Sequence, residues 1–273
     1  MAKRKKRRMK KSEIWKSVVV LALAALILGA FVFLLAGKSE PEPTEPPAPT
    51  LPVNPFSAED FVYDGAFLSC TAAETTLGID VSEHQKDIDW QQVKDAGIQF
   101  AMVRVGYRGN TAGGLYADEN ATANFEGARA AGLELGAYFY SQALTPAEAR
   151  QEAAFVLEAI RDVPITYPVV FDWEYVSGDA RTGDMDSRTL TDCTIAFCET
   201  IREAGYTPMV YFNQHMSQTL FRLMELQEYD FWLAMYQDAL TYPHEVAMWQ
   251  YTRAGAVPGI SGEVDINLCF RKY

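Results

Sequence analysis

An incomplete α/β barrel, five strand–helix units followed by three strands, is the fold predicted for the larger part of this 273-residue chain. Three observations predict it. From residue 77 onward, short β-branched and aromatic runs alternate with helix-patterned stretches, which implies a parallel sheet. The runs number eight, enough for a sheet to close on itself. Acidic residues recur at the ends of these runs, where a TIM-like barrel, here of (β/α)5(β)3 type, gathers its chemistry.

The strand at 77–81 reads Leu-Gly-Ile-Asp-Val and is followed by a helical stretch at 89–96. A second strand at 99–106 leads to a helix over 117–131, and a third at 133–140 leads to the clearest helix. There Thr145 suits the N-cap, Pro146 the first helical position and Glu148 the capping box, with Ala149, Ala153, Val156, Leu157 and Ile160 on one face. The fourth strand, 167–171, precedes a helix at 188–204 that Gly205 ends. A fifth strand is read at 207–212. Strands at 231–236, 246–251 and 263–268 follow with little helix between them.

Ahead of the barrel the chain changes character twice. Residues 1–16 are a basic tail with a single acid, Glu13, and the run from Val18 to Ala36 carries no charge. As a helix that run spans about 28 Å, close to a bilayer's hydrocarbon core. Residues 17–37 are therefore expected to form a transmembrane helix, Trp15 near its interface. The basic flank would stay in the cytoplasm and the rest outside the cell. A cleaved signal peptide is the rival, disfavoured by the long run and the missing small-residue cleavage site. Residues 38–74, rich in Pro and Glu at their start, are expected to be an extended extracellular linker, leaving 75–273 as the barrel domain.

Charge and cysteines narrow the partners. The formal net charge is −12, yet the first 38 residues carry ten bases against one acid, so the remainder carries −21. Such a surface disfavours nucleic acid and other polyanions. Four cysteines make no disulfide scaffold in a domain of this size. Cys193 and Cys198 lie too far apart on one helix to bridge, while Cys70 and Cys269 remain open to pairing. His84, His215 and His244 are scattered, and neither a metal-ligand pair nor a phosphate-cradling glycine loop occurs, so no metal or cofactor is expected.

Chemistry concentrates in Asp172-Trp173-Glu174. Strand residues i and i+2 share a face, so both carboxylates point one way and Trp173 the other, into packing. Two carboxylates on a rigid edge suit glycosidic bond cleavage: one donates a proton, the other manages the developing positive charge. Their backbone separation, about 6.5 Å, decides neither for retention nor for inversion. Asp80 and Asp265, on the first and last strands, are expected at C-terminal strand ends beside them, since those strands adjoin in a closed barrel. Tyr107, Tyr138, Tyr140, Tyr211, Tyr236, Trp249 and Gln250 are candidate sugar-binding residues near strand ends. Arg104 reads as a paired charge inside the barrel rather than a catalyst.

These stretches resemble glycoside hydrolase family 25, the Chalaropsis-type lysozymes. The matching residues are Gly78-Ile79-Asp80-Val81-Ser82 with His84-Gln85, the strand from Phe100 to Tyr107, and Ala130 to Ser141. Pro168 to Glu174, Trp232-Leu233-Ala234 with Tyr236, Trp249-Gln250-Tyr251-Thr252 and Val264-Asp265-Ile266-Asn267 complete the set, in order from about Leu77 to the C-terminus. The resemblance implies an N-acetylmuramidase acting on peptidoglycan glycan strands. It would cut the β-1,4 bond between N-acetylmuramic acid and N-acetylglucosamine; the single-pass membrane anchor, read from the N-terminal run, is not part of the resemblance. Glu174 would be the general acid. Asp172 would stabilise the transition state or orient the substrate acetamido group, and the resemblance tilts toward this second, substrate-assisted route. Asp80 and Asp265 would bind substrate and tune the pair. The catalytic domain is expected to be monomeric. A catalytically inactive wall-glycan-binding module on the same tether is the alternative, and the intact acids favour the enzyme.

Overall fold

The computed structural model describes residues 11–36 and 50–273. Residues 1–10 of the basic tail and 37–49 of the expected linker lie outside them. The chain divides into two compact units, Met1–Ala48 and Pro49–Tyr273. In the first, α1 (Lys11–Ala36) is long and apolar enough to cross a membrane.

The second unit opens with a hairpin, β1 (Phe61–Asp64) and β2 (Phe67–Cys70), and continues through β3 (Thr76–Val81) and α2 (Trp90–Asp95). Then come β4 (Phe100–Arg108), β5 (Leu115–Ala117), α3 (Ala121–Ala130), β6 (Glu134–Ser141), α4 (Pro146–Ala159) and β7 (Val169–Trp173). It closes with α5 (Ser187–Glu203), β8 (Pro208–Asn213), α6 (Gln214–Thr219), β9 (Asp230–Ala234), β10 (Met248–Gly255) and β11 (Val264–Cys269). Eight strands form the barrel in the order β3-β4-β6-β7-β8-β9-β10-β11, and β11 pairs back onto β3. The expected architecture is therefore present. Seven of the strands run parallel, but β11 is antiparallel to both neighbours, because the connection from Gly255 to Val264 is too short for a crossover helix.

Strand alternation separates two cores. Inward-facing Phe100, Met102, Tyr167, Val170, Met209, Trp232 and Met248 fill the barrel. Phe100 and Tyr167 stack with ring centroids 4.4 Å apart and plug its floor. Gly78 makes room for them, since a Cβ there would come within 2.2 Å of the Phe100 ring. Outward-facing Phe139, Phe171, Trp173, Val210 and Phe212 pack instead with helical residues such as Val156, Leu190, Phe197 and Ile201.

Helices start where local chemistry directs. On α4 the Thr145 hydroxyl accepts from the Glu148 amide, but the Glu148 carboxylate reaches past the capping-box position to the Leu144 amide at 2.8 Å. Asp186 caps α5 through the Arg188 and Thr189 amides, and Gly205, at φ 91°, ends it. The helix expected over 117–131 is shorter, because Leu115–Ala117 pairs with Gly106–Arg108 of β4 as an edge hairpin. The short α6 follows Asn213, whose side chain accepts from the Met216 amide.

A larger difference concerns residues 50–74, expected as linker. These residues pack on the barrel. Val53 bridges to His244, and the Asn54 side chain donates to the Leu240 and Tyr242 carbonyls at 3.0 and 2.9 Å. Phe61 meets Trp249 edge-on at 5.2 Å, and Phe56 stacks on Phe270 at 4.9 Å. Among the described residues no helix follows β9, so the outer face of the last strands needs another apolar partner. The N-terminal hairpin and strap supply one, and the compact unit begins at Pro49. All four cysteines are free and buried, including Cys70 and Cys269.

Candidate functional site

Four carboxylates meet at one mouth of the barrel. Asp80 comes from the end of β3, Asp172 from the end of β7, and Glu174 lies just past that strand. Asp265 differs from expectation, since it stands near the N-terminal end of β11. The reversed direction of that strand still delivers it to the same mouth, with its Cα paired to that of Asp80. Together these acids line a cleft of about 630 Å³.

A directed hydrogen-bond network holds Asp80. Its Oδ2 accepts from Gln250 Nε2 at 2.9 Å and from Asn267 Nδ2 at 2.8 Å. The two amide oxygens are engaged in turn: Gln250 accepts from the Tyr211 and Tyr236 hydroxyls at 3.0 and 3.2 Å, and Asn267 from the Trp232 indole at 2.8 Å. This pattern fixes both amide orientations and leaves Asp80 as acceptor. Asp172 is held differently. Its Oδ1 is buried and meets no hydrogen-bond donor among the described residues, although the residue itself lines the cleft.

Burial and mutual repulsion raise the proton affinity of the whole group. For Asp80, burial is the larger cause and Asp265 the next, with Asn267 and Gln250 opposing them. Burial, then Glu174, then Asp80 hold Asp172 well above the ordinary carboxylate range. Glu174 is raised by burial and then by Asp265. Asp265, the most exposed of the raised aspartates, is pushed up to about 6 by burial, against the pull of its own backbone amide and of Arg253. Crowded acids of this kind release their protons as a set rather than independently. Burial, with Glu174 and Asp172 adding to it, likewise keeps Tyr140 a neutral phenol.

The cleft brings together Tyr107, Tyr138, Tyr140, Tyr211, Tyr236 and Gln250 beside the acids. Trp249 is the exception among the residues proposed from sequence. It is buried on the outer side of the barrel, against Phe61, and its indole donates to the Met235 carbonyl at 2.7 Å. Neighbouring strand residues face opposite ways, so Gln250 and Trp249 cannot both face the lumen. The tryptophan that does line the cleft is Trp232, which the sequence reading did not select. Its signal was available: it shares strand parity with Tyr236. Glu83, His84 and Arg253 also line the mouth without having been chosen.

Arg104 is paired as expected, with Asp118 at 2.7 Å and Glu83 at 3.0 Å. A register shift follows it, since Arg104 pairs with Tyr138 but Gly106 with Phe139. The extra residue restores inward direction at Tyr107, so Arg104 and Tyr107 both reach the cleft despite their odd spacing.

Lysozyme M1 of Streptomyces globisporus is 30% identical over 203 residues, covering 70% of this chain and 66% of that protein. The uncharacterized protein YegX of Escherichia coli K12 is 29% identical over 209 residues, 72% of this chain and 70% of its own length. The modular autolysin LytC from Streptococcus pneumoniae, solved with a synthetic peptidoglycan ligand, superposes with a TM-score of 0.63 at 27% identity. That match covers 71% of this chain but 46% of the autolysin, so this chain spans about half of its length. A family 25 glycosyl hydrolase from Bacillus anthracis, 19% identical with a TM-score of 0.58 over 75% of this chain and 92% of its own, has the same fold. The model of glycosyl hydrolases family 25 matches residues 79–260, the stretch from the first barrel strand past the tenth strand of the molecule, and to that family this chain belongs.

Proposed function

We propose that this protein is a muramidase that hydrolyses the β-1,4 bond between N-acetylmuramic acid and N-acetylglucosamine in peptidoglycan, with Glu174 as proton donor. The observation that carries the reading is the meeting of Asp80, Asp172, Glu174 and Asp265 in one cleft, where burial and like charge favour protonation. Glu174 is half-buried while Asp172 is buried. The donor must touch a glycosidic oxygen arriving from solvent, so the more accessible carboxyl suits that task. It gives its proton to the leaving sugar oxygen as the bond to the anomeric carbon breaks.

Asp172 then has the second role. Its carboxylate accepts no hydrogen bond from the described residues and the residue lines the cleft, so an acetamido N–H of the substrate can pair with it. Accepting this bond turns the acetamido oxygen toward the anomeric carbon, where it attacks as internal nucleophile, and water later opens the cyclic intermediate. Asp80, Asp265 and Gln250 would hold sugar hydroxyls, and Trp232 with the tyrosines would offer apolar faces.

The N-terminal helix is read as the membrane anchor, its basic flank on the cytoplasmic side and the barrel facing the wall. The ten bases in the first 38 residues and the length of α1 support that orientation.

The test is a Glu174→Gln variant on purified peptidoglycan. Release of new reducing ends should vanish while the variant still sediments with the polymer. Muropeptides from the wild-type digest should end in N-acetylmuramic acid. Ends bearing N-acetylglucosamine, or an active Glu174→Gln variant, would overturn the assignment.

A further inference from the structure

Gln142 directly follows β6, is buried, and takes no part in the chemistry described so far. Its Nε2 donates to the main-chain carbonyl of Glu174 at 3.1 Å and to that of Ser141 at 2.9 Å. Its Oε1 accepts the hydroxyl of Thr182 at 2.6 Å. Two carbonyls on one side and a hydroxyl on the other fix the orientation of the amide and use every polar atom it has.

Its place in the sheet gives this arrangement its meaning. The β6–β7 pairing ends with Ser141 opposite Trp173, and Glu174 lies beyond the ladder. Ordinary strand bonding therefore stops one residue before the acid. The next residue on each chain is Gln142 and Glu174, and the carboxamide bonds across that gap. Through Thr182 it also holds the loop that runs from Glu174 to the start of α5. That loop is fastened twice more. The Arg181 amide donates to the Asn110 carbonyl at 2.7 Å, and the Arg181 guanidinium pairs with Glu148 at 2.7 Å. Beneath it, a buried Arg108–Glu152 pair at 2.6 Å anchors the Ser141 hydroxyl, also at 2.6 Å.

We propose that Gln142 is a positioning residue for Glu174, extending the β6–β7 pairing by one side-chain bond and fixing the peptide plane from which the acid enters the cleft. The proposal rests on Glu174 being the proton donor. Without the amide, the Glu174 carbonyl and the loop root lose their shared anchor, and the carboxyl drifts from the glycosidic oxygen. Sugar-binding groups on β4, β6 and β8–β10 keep their own supports, so substrate affinity is spared.

The experiment compares Gln142→Met, which keeps length without polar atoms, with Thr182→Val, which leaves Gln142 in place. On a defined glycan, Gln142→Met should lower kcat by about 10- to 100-fold with KM unchanged. The alkaline limb of its kcat–pH profile should move to lower pH, because a displaced carboxyl is better solvated. Thr182→Val should change both readouts in the same direction by less. A folded Gln142→Met with wild-type kcat and an unmoved alkaline limb would overturn the proposal. So would a loss of kcat that disappears well below the unfolding temperature, which would mark a role in stability alone. If Gln142→Met does not fold, an unchanged kcat and pH limb in Thr182→Val decide against it. Activity in Glu174→Gln would remove the underlying reading, whereas an inactive Glu174→Gln beside a fully active Gln142→Met would remove only this inference.

Discussion

Asp80 and Asp265 stand opposite one another on antiparallel β3 and β11, paired Cα to Cα at the rim of the barrel. Like charges in directly opposed positions destabilise a sheet. At the same mouth, Asp265 adds to burial in raising the proton affinity of Glu174.

Neutralising one member should therefore move the pH profile. In Asp265→Asn, Glu174 loses the charge that, after burial, most favours its protonated form. The alkaline limb of kcat should fall by roughly one pH unit, measured on glycan substrate across pH 4 to 9. An unmoved limb would show that burial alone sets the acid.

Stability should respond with the opposite sign. Burial pushes Asp265 up to about 6 in the fold against 3.8 for the ordinary carboxyl, a raised proton affinity it shares with the acids beside it. Its stabilising contribution is complete below about pH 4 and is lost as pH rises through 6. Asp265→Asn should exceed the wild type in stability at pH 7 by about 1–2 kcal/mol, allowing for screening at a partly exposed group. The difference should close near pH 4, as followed by urea unfolding.

The two tryptophans on neighbouring strands should separate cleanly. Trp232→Phe removes the donor to Asn267, which itself holds Asp80, and should reduce kcat/KM as well as stability. Trp249→Phe removes the donor to the Met235 carbonyl on the outer side. It should cost about 1–3 kcal/mol of stability with kcat/KM unchanged once folded.

Removing residues 1–74 should damage the barrel more than removing 1–49. The longer deletion strips Leu51, Phe61 and Leu68 from the outer face of β9–β11, at about 1.5–3 kcal/mol for each buried side chain. Thermal unfolding of the two truncated chains checks this, and equal midpoints would return 50–74 to the status of linker.

For the anchor, protease applied to intact cells should release a fragment beginning within or just after residues 38–49. Complete protection would favour the reverse orientation or a cytoplasmic domain.

The fold was legible from the sequence because its signals are local. Strand length, the helix cap at Thr145 and the glycine stop at Gly205 each depend on a few adjacent residues. The same is true of the acid pair, since strand alternation alone places Asp172 and Glu174 on one face and Trp173 on the other. The parity rule that gave this pair would also have rejected Trp249 beside Gln250 and selected Trp232.

Tertiary structure decided what depends on residues far apart. The reversal of β11 brings Asp265 to Asp80 from the opposite strand end, and no local pattern states a strand's direction within a sheet. The docking of 50–74 follows from an apolar face left bare some 190 residues later. Proline content at the start of that segment says only that the backbone is extended, not whether something lies beneath it to cover. Proton affinity at the mouth was likewise a tertiary matter: composition supplied the carboxylates, and closure of the barrel supplied the burial and the short separations that make ionising all of them unfavourable.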